Sequence, residues 1–315
     1  MILRLPVDCQ MSDNVVRARE VAVLTRQKLI LWALDKAGGR LGLMTLVKCA
    51  FLLRKETTVG DECAFYDFVP YKYGPFSFAL YHELSALARD DHLRRTATSV
   101  TLAPESRSQA RGVVGALSVR VQDDVVRVMA KYGDIPWRSL VQEVYERYPW
   151  YAVRSQLAEF RPPAGLERPA VRIAVYTVGY EGKSVDGFFD SLLRAGIQAI
   201  LDVRATPLSR KYGFSRRSLS QIADRLGLEY HHLPQLGIPR QQRSTLSDSE
   251  SYERLFERYE RCMLPNKREH VDRAISLLRR QPSALLCMEE DVRRCHRGRL
   301  AAVISRKTAL PVVHL

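Results

Sequence analysis

The feature that most constrains the fold is the alternation of strand-like and helix-like segments between residues 172 and 315. Apolar, β-rich runs alternate there with amphipathic stretches whose apolar residues recur at helical spacing. Strands joined by helices in this order form parallel sheets that helices cover. The sequence therefore predicts a Rossmann-like α/β fold, with SALLCME as a central strand. The expected strands are 172–180, 197–204, 229–233, 283–289 and 310–315, and the expected helices are 183–196, 215–227, 251–264, 268–280 and 295–307.

The first half of the chain has a different pattern. Apolar residues at helical spacing predict helices over 26–39 and 43–56, and 65–93 combines an extended piece, a turn at Gly74–Pro75 and a third amphipathic helix. This order predicts a mainly helical, winged-helix-like domain. The second helix has few of the arginine, asparagine and glutamine side chains that read bases, so an interaction or positioning role suits this half at least as well.

A proline- and glycine-rich stretch, FRPPAGLERP (160–169), separates the two patterns. We therefore divide the chain into residues 1–165, a helical interaction or positioning domain, and residues 166–315, an α/β domain that carries the active site.

The charge balance favours a phosphate-bearing partner, because the chain has a net charge of +14 and an isoelectric point near 9.7. Nucleic acid is the expected partner, with DNA favoured.

No apolar run is long enough to span a membrane, and the first residues lack the apolar core of a signal peptide, which predicts a cytoplasmic protein without a membrane partner. The six cysteines are scattered and form no CxxC pair, so neither a disulfide framework nor a zinc ribbon is predicted.

Polar side chains gather at the carboxyl ends of the expected strands, where parallel sheets bind ligands. Glu181, Asp202 and Glu289 follow three different strands, and Tyr180 and His232 lie beside them. Such carboxylates serve as general bases or as ligands for Mg²⁺. The many arginines nearby favour a metal-independent site, so no cofactor is expected and Mg²⁺ is the lesser possibility. The alternative is that Asp202 only braces a loop by pairing with an arginine.

Basic residues that suit phosphate follow the second expected strand and open two expected helices. Tyr212 and Phe214 lie among them and offer faces on which bases stack. The alternative is a solvated basic loop whose aromatic residues are anchored in the core. The candidate phosphate-binding residues are Arg204, Arg210, Lys211, Arg216, Arg217, His296 and Arg297.

Cys295 allows a thiol role, because it lies at the expected start of a helix beside a histidine and an arginine. The loop of cysteine-based phosphatases needs an arginine six residues later, and this chain has Ala301 there. The favoured alternative is that Cys295 packs beneath the loop while Cys287 belongs to the core. A zinc site made by these two cysteines with His296 and His232 is also conceivable, but no metal is predicted.

Four segments resemble the domain of unknown function 488 family: TVGYEGKSVDGFFDSLLRAGI, LDVRATPLSRKYGFSRRSL, GLEYHHLPQLGIP and LLCMEEDVRRCHRGRLA. The resemblance covers about residues 172–315 and implies an α/β fold without a settled activity. YKYGPFS resembles a turn in small helical domains of phage-associated, antitoxin-like proteins, and this second resemblance covers residues 26–93.

Three hypotheses about function follow. The leading one is a nucleic-acid-directed hydrolase that cleaves glycosidic or phosphodiester bonds with the carboxylates and arginines of the strand ends, in DNA repair or phage defence. The second is a non-catalytic sensor of nucleotides or modified nucleic acid. The third is a protein-interaction module of an antitoxin-like system.

Overall fold

A computed structural model describes residues 23–112, 114–160, 171–242 and 249–315. The predicted domain boundary lies almost wholly outside the described residues, since 161–170 are not among them. None of the described helices is both long and apolar enough to cross a bilayer.

The N-terminal part is mainly helical, as predicted. Its helices are α1 (Thr25–Lys36), α2 (Leu43–Glu56), α3 (Val59–Glu62), α4 (Phe78–Arg89), α5 (Arg107–Gly112), α6 (Val119–Tyr132) and α7 (Trp137–Arg147), and its strands are β1 (Arg40–Gly42), β2 (Val69–Tyr71), β3 (Gly74–Phe76), β4 (Leu93–Arg95) and β5 (Ser99–Leu102). Strands β1, β5 and β4 form a small antiparallel sheet beside the helices, and β2 and β3 form a separate hairpin. The order of α1, β1, α2, α4, β4 and β5 agrees with the winged-helix-like prediction.

Helix α2 is an interior helix, with most of its side chains buried. It begins and ends where its apolar periodicity predicts, and Phe51 at its centre packs edge-on against Phe68 and Tyr151. Lys48 is also buried, with its Nζ donating to the carbonyls of Tyr73 (2.6 Å) and Pro75 (3.1 Å). Because burial disfavours an ammonium charge, the pKa of Lys48 falls to about 7.

The C-terminal part is the predicted parallel α/β fold. Its strands are β6 (Val175–Gly179), β7 (Ala199–Asp202), β8 (Glu229–His232), β9 (Ser283–Cys287) and β10 (Val312–His314), and its helices are α8 (Val185–Arg194), α9 (Arg216–Arg225), α10 (Ser249–Arg258), α11 (Arg268–Arg280) and α12 (His296–Thr308). All four strand pairings are parallel, and the order is β10-β6-β9-β7-β8, which confirms β9 as the central strand.

Alternate residues of the strands build two cores on opposite faces of the sheet, as the period of two requires. Ala284 and Leu286 of β9 pack with α8 and α9, whereas Leu285 packs with α11 and α12. The helix expected over 251–264 is divided: α10 ends at Arg258 and a π-helical turn, Tyr259–Met263, follows. Because the strands are parallel, their carboxyl ends share one edge, and α8, α9 and α12 begin there.

The two parts of the chain meet where α4 and α8 begin. Asp186 of α8 is fully buried and accepts hydrogen bonds from Ser77 Oγ (2.8 Å) and from the backbone N–H groups of Phe78 (2.6 Å) and Ala79 (3.1 Å). These groups lie at the N-terminus of α4, where the helix dipole favours an anion. Burial nevertheless raises the pKa of Asp186 to about 7, against the effect of these hydrogen bonds.

Candidate functional site

The carboxyl edge of the sheet contains a buried ion pair at the end of β7. Asp202 has no exposed surface, and its Oδ1 and Oδ2 accept from Nε (2.8 Å) and Nη2 (2.6 Å) of Arg204. Its Oδ1 also accepts from the Arg204 backbone N–H (3.1 Å), and its Oδ2 accepts from the Tyr230 hydroxyl (2.6 Å). We call Asp202, Arg204 and Tyr230 the ion-pair cluster.

Two stacked aromatic rings lie next to this cluster. Arg204 lies 5.2 Å from the centre of the Tyr180 ring, which stacks on Phe214 at 4.3 Å. The remaining guanidinium nitrogen of Arg204, Nη1, donates a hydrogen bond to the carbonyl of Phe214 in the loop that follows, at 2.8 Å. The geometry thus favours the alternative in which Asp202 and Arg204 brace the loop. Their predicted roles in catalysis and phosphate binding gain no support, since neither group faces solvent.

A second cluster lies at the end of β9 and the start of α12. Cys287, Cys295 and His296 are all buried, with 1%, 2% and 3% of their surface exposed. Glu289 Oε2 lies 3.0 Å from the Sγ of each cysteine, and Cys287 Sγ lies 3.7 Å from His296 Nδ1. We call Cys287, Glu289, Cys295 and His296 the thiol cluster.

The ring of His296 has a defined orientation in this cluster. Its Nε2 lies 3.2 Å from the carbonyl oxygen of Val203, which can only accept a hydrogen bond. Nε2 therefore carries a proton, and Nδ1 faces Cys287, toward which it directs a lone pair in the neutral tautomer. His296 thus points into the protein and away from solvent, so the structure gives no support to the predicted phosphate contact.

The environment of Cys295 disfavours a reactive thiolate. Burial raises the pKa of Cys295 well above its ordinary value, and the Cys287 thiol acts in the same direction. Glu289 is half-buried, which by itself raises the pKa of its carboxyl, but the thiols of Cys295 and Cys287 outweigh this and the net pKa is lowered. A nucleophilic role for Cys295 stays a prediction without support from the geometry, whereas the predicted burial of both cysteines agrees with the structure.

The position of Arg297 gives no support to the predicted phosphate contact. Its side chain is buried, and Nη1 and Nη2 donate to the backbone carbonyls of Glu289 and, at 2.8 Å, Glu290. The same loop approaches Gly179 so closely that a Cβ there would lie 1.9 Å from the Glu289 carbonyl oxygen. Arg297 therefore fixes the loop after β9 against the end of β6.

The segment between β7 and α9 has the four exposed cations of the predicted phosphate site. We call residues 203–217 the basic loop. Within the described parts of the chain, none of its four exposed cations forms an ion pair; Lys211 Nζ makes a 3.5 Å contact with the Tyr180 carbonyl. These exposed cations are Arg210, Lys211, Arg216 and Arg217.

The two aromatic residues of the basic loop do not present the free ring faces that were expected for stacking with bases. Phe214 is fully buried, which matches the alternative that the core anchors it. Tyr212 is 37% exposed, but one face of its ring stacks on His82 of α4 at 4.0 Å. The loop therefore packs into the core of the C-terminal part through Phe214 and against the N-terminal part through Tyr212.

Two further candidates remain accessible. Glu181 is exposed, and its Oε2 accepts from the backbone N–H of Glu290 at 3.0 Å. His232 is half-buried, and its Nε2 donates to the Arg204 carbonyl at 3.0 Å, which leaves Nδ1 as the basic nitrogen. Of the predicted acids and bases, these two are the ones whose geometry suits contact with a ligand.

Sequence reasoning missed that Glu289 joins the two cysteines. The signal was present in part, because Cys287 and Glu289 are two residues apart in an extended segment and so can point to one side. The contribution of Cys295 depends on how the loop 288–294 folds back, which no short pattern in the sequence specifies.

The fold and the polar edge define a parallel α/β domain with helices on both faces. Residues 184–304 match the family model described as Domain of unknown function DUF488, which confirms the resemblance predicted for this part of the chain. No curated protein and no solved structure matches the chain. The resemblance of residues 26–93 to an antitoxin-associated domain stays a prediction.

Proposed function

We propose that this protein binds nucleic acid along the basic loop. The observation that carries the proposal is that the four exposed cations of this loop form no ion pair in the described parts of the chain, although Glu181 is near enough to act on the charge of Lys211. Unpaired guanidinium and ammonium groups that lie together repel one another, and a phosphate backbone relieves this repulsion.

The surroundings of the basic loop support the same proposal. Arg216 is the first residue of α9, whose N-terminus adds partial positive charge and backbone N–H groups to the site. The ion-pair cluster holds the loop rigid through the bond from Arg204 to the Phe214 carbonyl. A binding site that is already ordered loses less conformational entropy when its ligand binds. DNA in the cytoplasm remains the favoured target, in line with the net charge of +14.

Hydrolysis of the bound nucleic acid is a second candidate function, which His232 favours. Its Nδ1 is unprotonated in the neutral tautomer and lies at the edge of the sheet, in register with Asp202. Such a nitrogen is suited to take a proton from water. Asp202 is less suited, because the ion-pair cluster occupies both of its oxygens. Glu181 is the accessible carboxylate at the same edge, but it follows β6, which β9 and β7 separate from the strand of His232.

Binding is tested by fluorescence anisotropy with labelled single- and double-stranded DNA and RNA over a series of salt concentrations. For the double variant Arg216→Ala/Arg217→Ala we expect at least a tenfold weaker Kd for DNA and a salt slope smaller by about 1–2, since each lost phosphate contact removes about 0.9 from the slope.

The matched control changes the net charge equally at another place. Arg273→Ala/Arg279→Ala removes two exposed arginines of α11, which leads into the amino end of β9. Equal losses of affinity in the two double variants would mean that overall charge, and not the basic loop, attracts nucleic acid.

Cleavage is tested on end-labelled strands with magnesium or EDTA, and each sample is divided for alkali treatment before a denaturing gel. Breaks that appear only after alkali, resist EDTA and disappear in His232→Ala identify release of a base. Direct breaks that require magnesium identify a nuclease. Binding without any break favours the sensor, and neither binding nor breaks favours the interaction module.

A further inference from the structure

The thiol cluster has the composition and spacing of a metal site. Within the described residues, Cys287 Sγ, Cys295 Sγ and a ring nitrogen of His296 lie within 4.8 Å of one another, and all three residues are buried. We infer that these three side chains, with the carboxylate of Glu289 as the fourth ligand, bind one zinc ion. This inference is independent of nucleic-acid binding at the basic loop.

The distances fit a small tetrahedral ion. Zinc bonds of about 2.3 Å to sulfur and 2.0–2.2 Å to nitrogen and oxygen place neighbouring ligand atoms about 3.5–3.8 Å apart. Cys287 Sγ is 3.7 Å from His296 Nδ1, and Glu289 Oε2 is 3.0 Å from each sulfur. An ion between these atoms therefore requires movements of less than about 1 Å for these pairs.

The orientation of His296 is the one found in metal-binding histidines. Such a ring donates its second N–H to a carbonyl or carboxylate, which points the lone pair of the other nitrogen at the ion. Here Nε2 donates to the Val203 carbonyl and Nδ1 faces Cys287. The rings of Tyr259 and His296 pack in a T-shaped arrangement, with their centres 5.6 Å apart.

The charges around the cluster favour the same occupant. Zinc binding displaces one proton from each thiol, so two thiolates and one carboxylate around Zn²⁺ give a complex with a net charge of −1. Arg297 is a buried cation with no carboxylate partner in the described residues, and its Nε has no hydrogen-bond partner there. It directly follows His296 and holds the Glu289 carbonyl. An anionic complex at this place balances its charge.

The ligand types select the metal. Two thiolates and an imidazole suit zinc, whereas Mg²⁺ and Ca²⁺ prefer oxygen ligands. A closed set of four protein ligands is typical of a structural zinc site. The ion would join the end of β9 to the start of α12 and so fix the loop that Arg297 supports.

The first test measures zinc in the full-length protein after reduction, treatment with a chelator, addition of zinc and desalting. We expect one zinc per chain for the wild type and for Cys262→Ser, which changes an exposed cysteine of the same part of the chain. Cys287→Ser and Cys295→Ser are each expected to lose the zinc. Retention of a full equivalent in both of these variants, or no zinc in the wild type, overturns the proposal.

The second test needs no substitution and so does not depend on whether a variant folds. Co²⁺ added to the metal-free wild type should give thiolate-to-cobalt charge-transfer bands and the intense visible bands of a tetrahedral complex. Zinc should then abolish these bands and release about two protons per ion. Cobalt spectra without thiolate bands overturn the proposal. So does a Cys287–Cys295 disulfide in the isolated protein whose reduced form fails to bind either metal, since the pair is then a redox couple.

Discussion

The ion-pair cluster and the thiol cluster lie side by side at one edge of the sheet, at the ends of neighbouring strands β7 and β9, yet they are built differently. In the ion-pair cluster every oxygen of Asp202 has donors from Arg204 or Tyr230. In the thiol cluster two sulfurs share one oxygen of Glu289, and a histidine lone pair points at them. The first is complete with protein groups alone, whereas the second brings together side chains of the types that bind a metal ion.

This difference shows how far the type of residue at a strand end indicates its role. Asp202 and Arg204 look like a catalytic acid and a phosphate ligand, but they neutralise each other within the protein. Cys287 and Cys295 look like core residues, and they are buried, but they bring together donors that a metal prefers. Burial alone therefore does not separate structural from functional residues; the way their donor and acceptor groups are satisfied does.

The largest effect is expected on breaking the ion-pair cluster. Asp202→Ala leaves the Arg204 guanidinium buried without its anion, which should lower the free energy of unfolding by about 3–5 kcal/mol. Urea unfolding followed by circular dichroism measures it. Glu250→Ala breaks an exposed glutamate–arginine pair on α10 and should cause little or no loss.

The double variant Asp202→Leu/Arg204→Met sharpens the same point. Because it removes both charges together, no buried ion is left unpaired, and most of the lost stability should return. A double variant as unstable as Asp202→Ala would show that the hydrogen bonds to Tyr230 and the Phe214 carbonyl, and not the paired charges, hold the loop.

Removal of metal should separate the two clusters. If the thiol cluster binds zinc, a chelator lowers the melting temperature of the zinc-loaded wild type by about 5–10 °C, since a ligand at a hundred times its Kd contributes about 2.7 kcal/mol. Differential scanning calorimetry measures this shift. Cys295→Ser should melt at one temperature with or without the chelator, whereas Arg204→Lys should keep the shift. A shift that persists in Cys295→Ser would place the metal elsewhere.

Much of the fold was predictable because it depends on local periodicity. Helices α2 and α11 begin and end where apolar spacing predicts, and the buried run of β9 marks the central strand. The partners of the site residues were not predictable, because they are distant in sequence. His82, which stacks on the ring of Tyr212, lies 130 positions before it in the sequence, and Tyr230 lies 28 positions after its partner Asp202. Such contacts depend on strand order, which periodicity does not specify.

A third buried carboxylate extends the comparison, because Asp186 has no guanidinium partner and depends on a hydroxyl and two backbone N–H groups. Asp186→Asn places an amide N–H₂ among these donors, so at least one of them loses its acceptor. We expect the free energy of unfolding to fall by about 2 kcal/mol, less than for Asp202→Ala. Asp224→Asn on the exposed face of α9 is the control, with no change expected. A loss as large as that of Asp202→Ala would mean that the N-terminus of α4 stabilises a buried carboxylate as much as a guanidinium does.

The smallest effect is the pH dependence that Asp186 confers. Its pKa in the folded protein is about 7, above the ordinary 3.8 that applies when the chain is unfolded. The folded state therefore holds a proton that the unfolded state has already released, and the contribution to stability is lost as the pH rises through 7. Between pH 6 and 8 the stability of the wild type relative to Asp186→Asn should fall by about 1 kcal/mol. Lys48, whose pKa is also about 7 but lowered, acts in the opposite direction, yet it is present in both proteins and cancels in the difference. Urea unfolding of the two proteins at both pH values measures the change. A constant difference would mean that the N-terminus of α4 keeps Asp186 ionised.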